Sequence, residues 1–459
     1  MITELRLKNF KAWRDTGSVR LAPLTVFFGT NSSGKTSITQ LLLMLKQTAE
    51  SPDRRRVLHP GDSKTLVDLG TFHDLVFNHK RDDRLSFHLR WSLPQILKVK
   101  DPQSESTCSG KELMFEATIQ EQHPETEGLT VGSLAYTLGD PRNSGLRIRM
   151  ACQEEKPEKY DMEAEGYKLV RNPGRPWPLP PPVRFYGFPD EAVAFYQNTG
   201  FLPDLTLELE RLLRGLCYLG PLREYPKRTY VWSGEDPEHV GWRGERSIEA
   251  LLAARKRRLS RGPHKRTEPF EGLVARWLEG LGLIESFQVR PIARHRKEYE
   301  VLVRTSASRQ NVGITDVGFG VSQVLPVVVQ CFYAKPSSTI IFEQPEIHLH
   351  PRVQAALADL FIEVIHTREE GKNRNVQIIV ESHSEHFLRR LQRRIAEEEL
   401  APEEAALYFC ELAPDGAVMT ELDVDPCGNI SNWPEGFFGD DMEDLAAMTD
   451  AAMRRERKG

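Results

Sequence analysis

One short segment near the start of the chain limits its fold more than any other feature. Residues 29–36 read G-T-N-S-S-G-K-T, the G-x-x-x-x-G-K-T pattern of a phosphate-binding loop. An apolar, β-favouring stretch, Leu24–Phe28, precedes the loop, and a helical pattern starts at Ser37. A strand, a glycine-rich loop and a helix in this order direct backbone N–H groups and a helix N-terminus at a phosphate. The chain is therefore predicted to bind a nucleoside triphosphate.

The loop also predicts roles for individual side chains. Lys35 supplies a positive charge for the β- and γ-phosphates, and the hydroxyl of Thr36 is a predicted ligand of Mg2+. The residues predicted to bind the nucleotide are Gly29, Asn31, Ser33, Gly34, Lys35, Thr36 and Ser37.

Composition is that of a water-soluble globular protein. The 459 residues suffice for two or three domains, with 28% charged and 39% hydrophobic residues. The sequence contains no run of about 18 apolar residues, so no membrane span is predicted. The N-terminus lacks the apolar centre of a signal peptide. Six cysteines without a C-x-x-C pair disfavour a structural zinc site and a disulfide scaffold, so we expect a cytoplasmic location. With a net charge of −5, nucleic-acid binding would require a local basic patch.

The order of the patterns predicts an α/β phosphate-loop domain split by an insertion. Residues 1–90 form its N-terminal half. Residues 91–285 are the insertion, with Pro-rich linkers around a small β-rich unit and then a helical, basic lobe. In that lobe, leucines spaced three and four apart predict a helix over residues 202–216. Residues 286–425 form the C-terminal half of the domain, and residues 426–459 a small tail.

A second apolar strand supplies carboxylates. Residues 338–346 read S-T-I-I-F-E-Q-P-E, a pattern that predicts a buried parallel strand ending in acids. In phosphate-loop enzymes the strand beside the loop strand carries a carboxylate that holds magnesium through water, and the next residue commonly polarises the attacking water. Glu343 takes the first position and Gln344 the second.

A third strand is predicted at residues 376–380, and E-S-H-S follows it. A histidine at a strand tip near the γ-phosphate can donate a hydrogen bond and report whether that phosphate is present, which is the role predicted for His383. The alternative is a surface histidine in a loop. The position of His383 after the acidic strand favours the first interpretation.

A glycine-rich segment lies between the insertion and the acidic strand. Residues 316–326 read D-V-G-F-G-V-S-Q-V-L-P, and glycines followed by Ser-Gln at a helix start present free N–H groups. Such an element can bind the γ-phosphate of a nucleotide held by a second subunit, and the alternative is a turn before a core helix. The residues predicted to act in this way are Gly318, Gly320, Ser322 and Gln323.

With these elements in this order, the chain resembles the ABC-type ATPase superfamily, in the RecF-like and OLD-like branch. L-R-L-K-N-F-K at residues 5–11 is similar to the start of that branch. F-E-Q-P-E-I-H-L-H-P at residues 342–351, Y-L-G-P-L-R at residues 218–223 and N-W-P-E-G-F-F at residues 432–438 are similar to bacterial AAA/ABC-like ATPases that share a tail domain of unknown function. The resemblance implies ATP and Mg2+ as cofactors and a homodimer or higher oligomer held together through ATP. Because relatives occur in anti-phage systems, it also implies a separate effector protein.

Two departures from the resemblance bear on chemistry. Gln344 stands where transport-type relatives have the catalytic Glu, and a glutamine can orient water but is a poor base. Either hydrolysis is therefore slow or Glu346 substitutes as the base. The predicted catalytic residues are Lys35, Gln344, Glu346 and His383. The glycine-rich segment also lacks the usual L-S-G-G-Q spelling.

Three functions remain open from sequence. The first is an ATP-dependent switch that acts on a bound effector. The second is a DNA-binding repair ATPase, whose predicted contact is the basic run Arg255, Lys256, Arg257 and Arg258; the alternative for this run is a solvated loop or helix end. The third is an ATP-binding scaffold without hydrolysis, which Gln344 favours. In the tail, residues 433–438 are predicted to pack, with a docking site as the alternative.

Overall fold

The computed structural model describes residues 1–80, 84–101, 107–123, 126–153, 156–174, 178–305, 310–434, 447–449, 451–453 and 455. The predicted tail therefore lies mostly outside the described residues. Its helices are α1 (Lys35–Glu50), α2 (Phe72–Leu75), α3 (Asp190–Phe195), α4 (Leu202–Arg214), α5 (Ser247–Ala253), α6 (Phe270–Gly280), α7 (Phe319–Tyr333), α8 (Pro351–His366) and α9 (Glu385–Ala396).

The strands of the first half are β1 (Ile2–Phe10), β2 (Trp13–Asp15), β3 (Val19–Arg20), β4 (Leu24–Gly29), β5 (Leu85–Lys100), β6 (Thr107–His123), β7 (Thr126–Leu138), β8 (Leu146–Gln153), β9 (Lys156–Glu165), β10 (Leu216–Leu219) and β11 (Tyr230–Val231). Those of the second half are β12 (Arg258–Ser260), β13 (Thr267–Pro269), β14 (Ser286–Pro291), β15 (Glu298–Arg304), β16 (Val312–Gly313), β17 (Thr339–Glu343), β18 (Arg368–Glu369), β19 (Lys372–Asn373), β20 (Gln377–Glu381), β21 (Ala405–Ala413) and β22 (Gly416–Glu421).

The predicted α/β fold is confirmed, and its centre is a mostly parallel sheet. Six described strands lie in the order β10-β17-β20-β4-β21-β22, and only the β21–β22 pair is antiparallel. The strands β4, β17 and β20 are short apolar runs with almost every residue buried, as expected for strands covered on both faces.

Each face of this sheet belongs to a different core. Phe27, Ile341 and Ile379 point into a core shared with α1 and α4. Their neighbours in sequence, such as Phe28 and Phe342, point into a second core built with α7, α8 and α9. The alternation of side chains along each strand thus divides the hydrophobic residues between two layers of helices.

The strand order corrects one prediction. The acidic strand β17 does not lie beside the loop strand β4, because β20 pairs with both and separates them. The carboxyl ends still meet at one edge of the sheet, since all three strands are parallel. Glu343 is level with Glu381, and Glu381 is level with Phe27, two residues before the end of β4.

A large antiparallel sheet lies against the α1 side. It runs β2-β1-β5-β6-β7-β8-β9, with β3 also paired to β1. Two elements cross the boundaries predicted from sequence: β5 begins before residue 90 and pairs with β1, and β10, inside the predicted insertion, is an edge strand of the parallel sheet. The helix predicted over residues 202–216 ends at Arg214, and Leu216 begins β10. The four-part domain division stays a prediction.

Two small sheets complete the helical side of the molecule. One contains β11, β14, β15 and β16, and the other β12, β13, β18 and β19. Their strands contact α5 and α6, and the buried faces of α5, α6 and α7 join the second core. Within the described residues, no helix combines the length and the apolar character that crossing a membrane requires.

The side chain of Gln377 ties the N-terminal strand to the parallel sheet. Its Nε2 donates to the carbonyls of Ile2 at 2.7 Å and Ala22 at 3.0 Å, and its Oε1 accepts from the N–H of Ile2 at 3.0 Å. The hydroxyl of Thr339 donates to the same Oε1 at 3.0 Å. Because Gln377 is fully buried, water could not take over these hydrogen bonds if the side chain were removed.

We expect Gln377→Leu to destabilise the protein by about 2 kcal/mol or more, because it leaves buried backbone groups of Ile2 and Ala22 without partners. Urea unfolding followed by tryptophan fluorescence measures the loss. The matched control is Gln95→Leu on an exposed position of β5, which should change little. Equal effects of the two substitutions would contradict the bridging role of Gln377.

Candidate functional site

The phosphate loop joins β4 to α1 and is held in shape by two close contacts. Gly29 has a φ of 137°, and a Cβ there would lie 2.0 Å from the carbonyl oxygen of Cys410 on β21, so only glycine fits. At the other end, the indole Nε1 of Trp13 donates to the carbonyl of Gly34 at 2.9 Å. Gly34, with a φ of 87°, is the N-cap of α1, which starts at Lys35, two residues before the predicted helical pattern.

The ammonium of Lys35 lies inside this loop. Its Nζ donates to the carbonyls of Gly29 at 3.0 Å and Thr30 at 2.5 Å and to the hydroxyl of Ser33 at 3.2 Å. Burial lowers the pKa of Lys35. The loop therefore places a cation among the backbone groups that are predicted to surround the phosphates. Of the other residues predicted to bind nucleotide, Asn31 is exposed, Thr36 is half-buried, and Ser37 is buried in the first turn of α1.

Two glutamates stand beside the loop at the carboxyl edge of the sheet. The hydroxyl of Thr36 donates to Oε1 of Glu381 at 2.9 Å, and the Oη of Tyr218 on β10 donates to Oε2 of Glu343 at 2.6 Å. Burial, together with the charge of the neighbouring Glu343, raises the pKa of Glu381 to about 7. Burial also raises the pKa of Glu343. The structure thus adds Glu381 and Tyr218 to the residues expected from sequence.

Glu346 forms the third acid of the site. Its Oε1 accepts from the hydroxyl of Ser382 at 2.8 Å and from the backbone N–H of His383 at 2.7 Å. Burial raises the pKa of Glu346. Two hydrogen bonds to one oxygen fix the carboxyl group and leave the other oxygen directed elsewhere.

The donor set fits a magnesium ion. Mg2+ prefers carboxylate, hydroxyl and water oxygens, and Thr36, Glu343 and Glu381 supply such atoms at one edge. The Oε2 atoms of Glu346 and Glu381 are buried and have no hydrogen-bond partner within the described part of the chain. Buried acceptors of this kind are satisfied when an ion or its bound water is present.

Gln344 and His383 lie at the exits of neighbouring strands. Gln344 has a φ of 44°, a left-handed conformation that turns the chain sharply after β17, and its N–H donates to the carbonyl of Glu381 at 2.9 Å. His383 is half-buried, and burial followed by the charge of Lys35 lowers its pKa, while a hydrogen bond with the Gly29 backbone opposes that shift. His383 therefore lies against the phosphate loop, although its predicted sensing role stays a prediction.

The glycine-rich segment forms the start of α7. Gly318 is the N-cap and is exposed, and Gly320 is half-buried. The side chains of Ser322 and Gln323 are buried within this chain. The predicted contact of these four residues with a nucleotide of a second subunit stays a prediction.

The basic run is partly occupied by internal ion pairs. Arg255 pairs with Glu271 at 2.7 Å, and Arg257 pairs with Glu369 at 2.9 Å. Lys256 is exposed, and Arg258, also exposed, donates to a backbone carbonyl at 2.9 Å. Two of the four cations predicted to contact DNA therefore stabilise the fold, which reduces the charge available to a phosphate backbone.

Two sequence families match the chain. The model described as AAA ATPase domain matches residues 1–121 and 270–388, which together exceed half of the chain. The model described as a protein of unknown function, DUF3696, matches residues 400–448. No curated protein matches the chain.

The solved structures that match the chain include three SMC heads. The SMC head domain from Thermotoga maritima shares 10% identity at a TM-score of 0.39, over 92% of this chain and 99% of that one. An SMC head bound to the C-winged helix domain of ScpA shares 12% identity at a TM-score of 0.38, over 93% of this chain and 98% of that one. The third is an SMC head with an extended coiled coil, bound to the C-terminal domain of ScpA derived from Pyrococcus furiosus. It shares 10% identity at a TM-score of 0.37, over 92% of this chain and 96% of that one. At these TM-scores the similarity supports no conclusion about function.

We expect Glu381→Gln to stabilise the nucleotide-free, metal-free protein more at pH 8 than at pH 5. The pKa of Glu381 is raised from 4.5 to about 7 in the folded state, so its contribution to stability is present below pH 4.5 and is lost as the pH rises through 7. Glu343, Glu346 and Lys35 face this carboxyl group and are unchanged in the variant.

Thermal midpoints in EDTA at several pH values measure the difference between Glu381→Gln and the wild type. The control is Glu411→Gln, at an exposed position of β21, which should give a difference independent of pH. A constant difference for Glu381→Gln across the same range would show that burial does not hold this carboxyl group in its neutral form.

Proposed function

The chain belongs to the AAA ATPase domain family, and from this membership we propose that it binds ATP with Mg2+ and hydrolyses it slowly. The observation that carries the proposal is the meeting of distant segments at one edge of the parallel sheet. Lys35 and Thr36 come from the loop after β4, Glu343 and Glu346 from the end of β17, and Glu381 from the end of β20.

In this proposal the phosphate loop binds the triphosphate. Lys35 turns its ammonium from the loop carbonyls to the phosphate oxygens, which are stronger acceptors because they are charged. Thr36, Glu343 and Glu381 would hold Mg2+, which would neutralise phosphate charge. His383 is the proposed donor of a hydrogen bond to the γ-phosphate, and its contact with the Gly29 backbone supports this role.

Glu346 is the proposed general base. A base needs a free lone pair and a partner that orients it, and Glu346 has an unpaired Oε2 among the described residues while Ser382 and His383 hold its Oε1. Its raised pKa brings it closer to neutral pH, where proton transfer is most efficient. The amide of Gln344 can orient the attacking water but cannot accept its proton at this pH.

We further propose that ATP acts as a switch in the cytoplasm. Two subunits bind ATP between the phosphate loop of one and the segment around Gly318 of the other, and hydrolysis separates them. The exposed N-cap of α7 supports this arrangement, because the N-terminus of a helix suits a phosphate. A role in anti-phage defence together with a separate effector protein rests on the resemblance of the sequence motifs.

The alternatives have less support. A DNA-binding repair ATPase would rely on the run from Arg255 to Arg258, in which Arg255 and Arg257 are engaged by Glu271 and Glu369. A scaffold without hydrolysis would follow from Gln344, but Glu346 offers a second carboxylate at the same edge.

We expect Glu346→Gln to lower kcat about 100-fold or more while ATP still binds, because the variant loses the base and keeps the loop. Phosphate release measures turnover, and equilibrium titration with a fluorescent ATP analogue measures binding. Lys35→Ala should abolish phosphate release, and Gln344→Ala should lower kcat less than Glu346→Gln does, because it leaves the base in place. The assignment of the base is wrong if Glu346→Gln turns over at the wild-type rate.

Nucleotide-dependent association is tested by size-exclusion chromatography with light scattering. The Glu346→Gln protein, which is expected to retain ATP, should shift to a dimer or larger oligomer in ATP and Mg2+ and not in ADP. Lys35→Ala serves as the control that should not respond to ATP. A monomer under every nucleotide condition would rule out the clamp and leave ATP binding itself untouched.

A further inference from the structure

The loop that follows β10 is folded against the usual preference of its side chains. Leu222 is 66% exposed and Tyr225 is 74% exposed, while Arg223 between them is only 6% exposed. Arginine is rarely buried without full pairing, and an exposed leucine forgoes favourable burial. The backbone turns Arg223 inward and Leu222 outward. This arrangement indicates a functional role for the buried guanidinium.

The surroundings of Arg223 place it at the carboxyl edge described above. It lies four residues beyond β10, which is parallel to β17 and pairs with it up to Leu219 and Phe342. The acidic groups that act on its charge are Glu343 and Glu346. Glu346 also acts on the charge of Lys35, so the two cations face the same carboxyl group from different strands.

Arg223 is nevertheless not paired as a structural arginine would be. Its Nε and Nη1 are buried and donate to no acceptor in the described part of the chain, and the nearby Oε2 of Glu346 accepts from no donor there. A guanidinium that served only to neutralise the acids would bond to them directly. The unpaired donors of Arg223 indicate space for an acceptor such as a phosphate oxygen, and the unpaired oxygen of Glu346 indicates space for a donor such as water.

The loop holds Arg223 in this position through its backbone. The N–H of Gly220 donates to the carbonyl of Trp242, and the N–H of Glu224 donates to the carbonyl of Arg243, both at 2.8 Å. These bonds fix the chain on either side of Arg223. The fixed backbone and the burial of the side chain restrict where the guanidinium can lie before any ligand arrives, and a donor that is already in position is the most effective.

We propose that Arg223 donates its free guanidinium N–H groups to the γ-phosphate of ATP bound in the same chain. The inference rests on the proposed ATP site and identifies the residue that distinguishes ATP from ADP there. The planar fork of arginine matches phosphate oxygens. The terminal phosphate is the one that ADP lacks, and Lys35 and Arg223, which both lie near Glu346, then both bind the triphosphate.

The test compares the affinities of Arg223→Gln and the wild type for ATPγS and ADP in Mg2+, by equilibrium titration. We expect the variant to lose about 10- to 100-fold in affinity for ATPγS with little change for ADP, as for loss of a charge-assisted hydrogen bond. Arg223→Lys keeps the charge without the fork and should lose less. Arg211→Gln, at an exposed position of α4, is the matched control and should leave both affinities unchanged.

A purely structural role predicts a different pattern. If Arg223 only neutralises the acids, the double variant Arg223→Gln/Glu346→Gln should recover the affinity for ATPγS, whereas the proposal predicts no recovery. An unchanged ATPγS-to-ADP ratio, an equal loss for both nucleotides or recovery in the double variant would each overturn the proposal.

If Arg223→Gln does not fold, the same ratio measured on Arg223→Lys decides, with a selective loss for ATPγS in support and no selectivity against. The wild-type titration tests the ATP site independently of the role of Arg223. A wild-type protein that binds neither nucleotide would refute the ATP site itself.

Discussion

The parallel register of β4, β20 and β17 is the constraint on which the candidate site depends. It brings the end of β4, which leads into the phosphate loop, level with Glu381 and Glu343 at one edge of the sheet. Three carboxyl groups and two buried cations are thereby concentrated where water is largely excluded. The raised pKa values of Glu343, Glu346 and Glu381 follow from this placement, since burial disfavours their charged forms. The hydrophobic cores on both faces of the sheet stabilise this register, although it brings the three carboxyl groups close together.

The same sheet connects the site to the rest of the molecule. Trp13, on the antiparallel sheet, donates to Gly34 in the phosphate loop, and Gln377 ties β1 to the start of β20. The antiparallel sheet thus contacts both the loop and the strand that carries Glu381. At the edge strand β10, Tyr218 donates a hydrogen bond to Glu343, and Arg223 in the following loop lies near Glu343 and Glu346.

The parts of the site that sequence predicted share one property, which is that each is encoded by a contiguous stretch. The phosphate loop, the acidic end of β17 and the tip of β20 are local patterns of glycines, apolar runs and acids, and the structure has a strand or loop at each. The order of the strands was predicted incorrectly, because an apolar run reveals burial and not the identity of its neighbours. Glu381 was visible as the residue at a strand end, yet its bond to Thr36 depended on β20 lying beside β4.

The amino-acid sequence by itself determined that this chain has an α/β phosphate-loop core, and it predicted Lys35, Thr36 and Glu343 as functional residues. The reason is that a phosphate loop needs only eight consecutive residues and two flanking elements to take its shape. Only the tertiary structure decided that Glu381 bonds to Thr36, that Tyr218 bonds to Glu343, and that Arg223 is buried against the acids. These contacts join residues more than 100 positions apart, and they follow from strand pairing and packing, which no local pattern encodes.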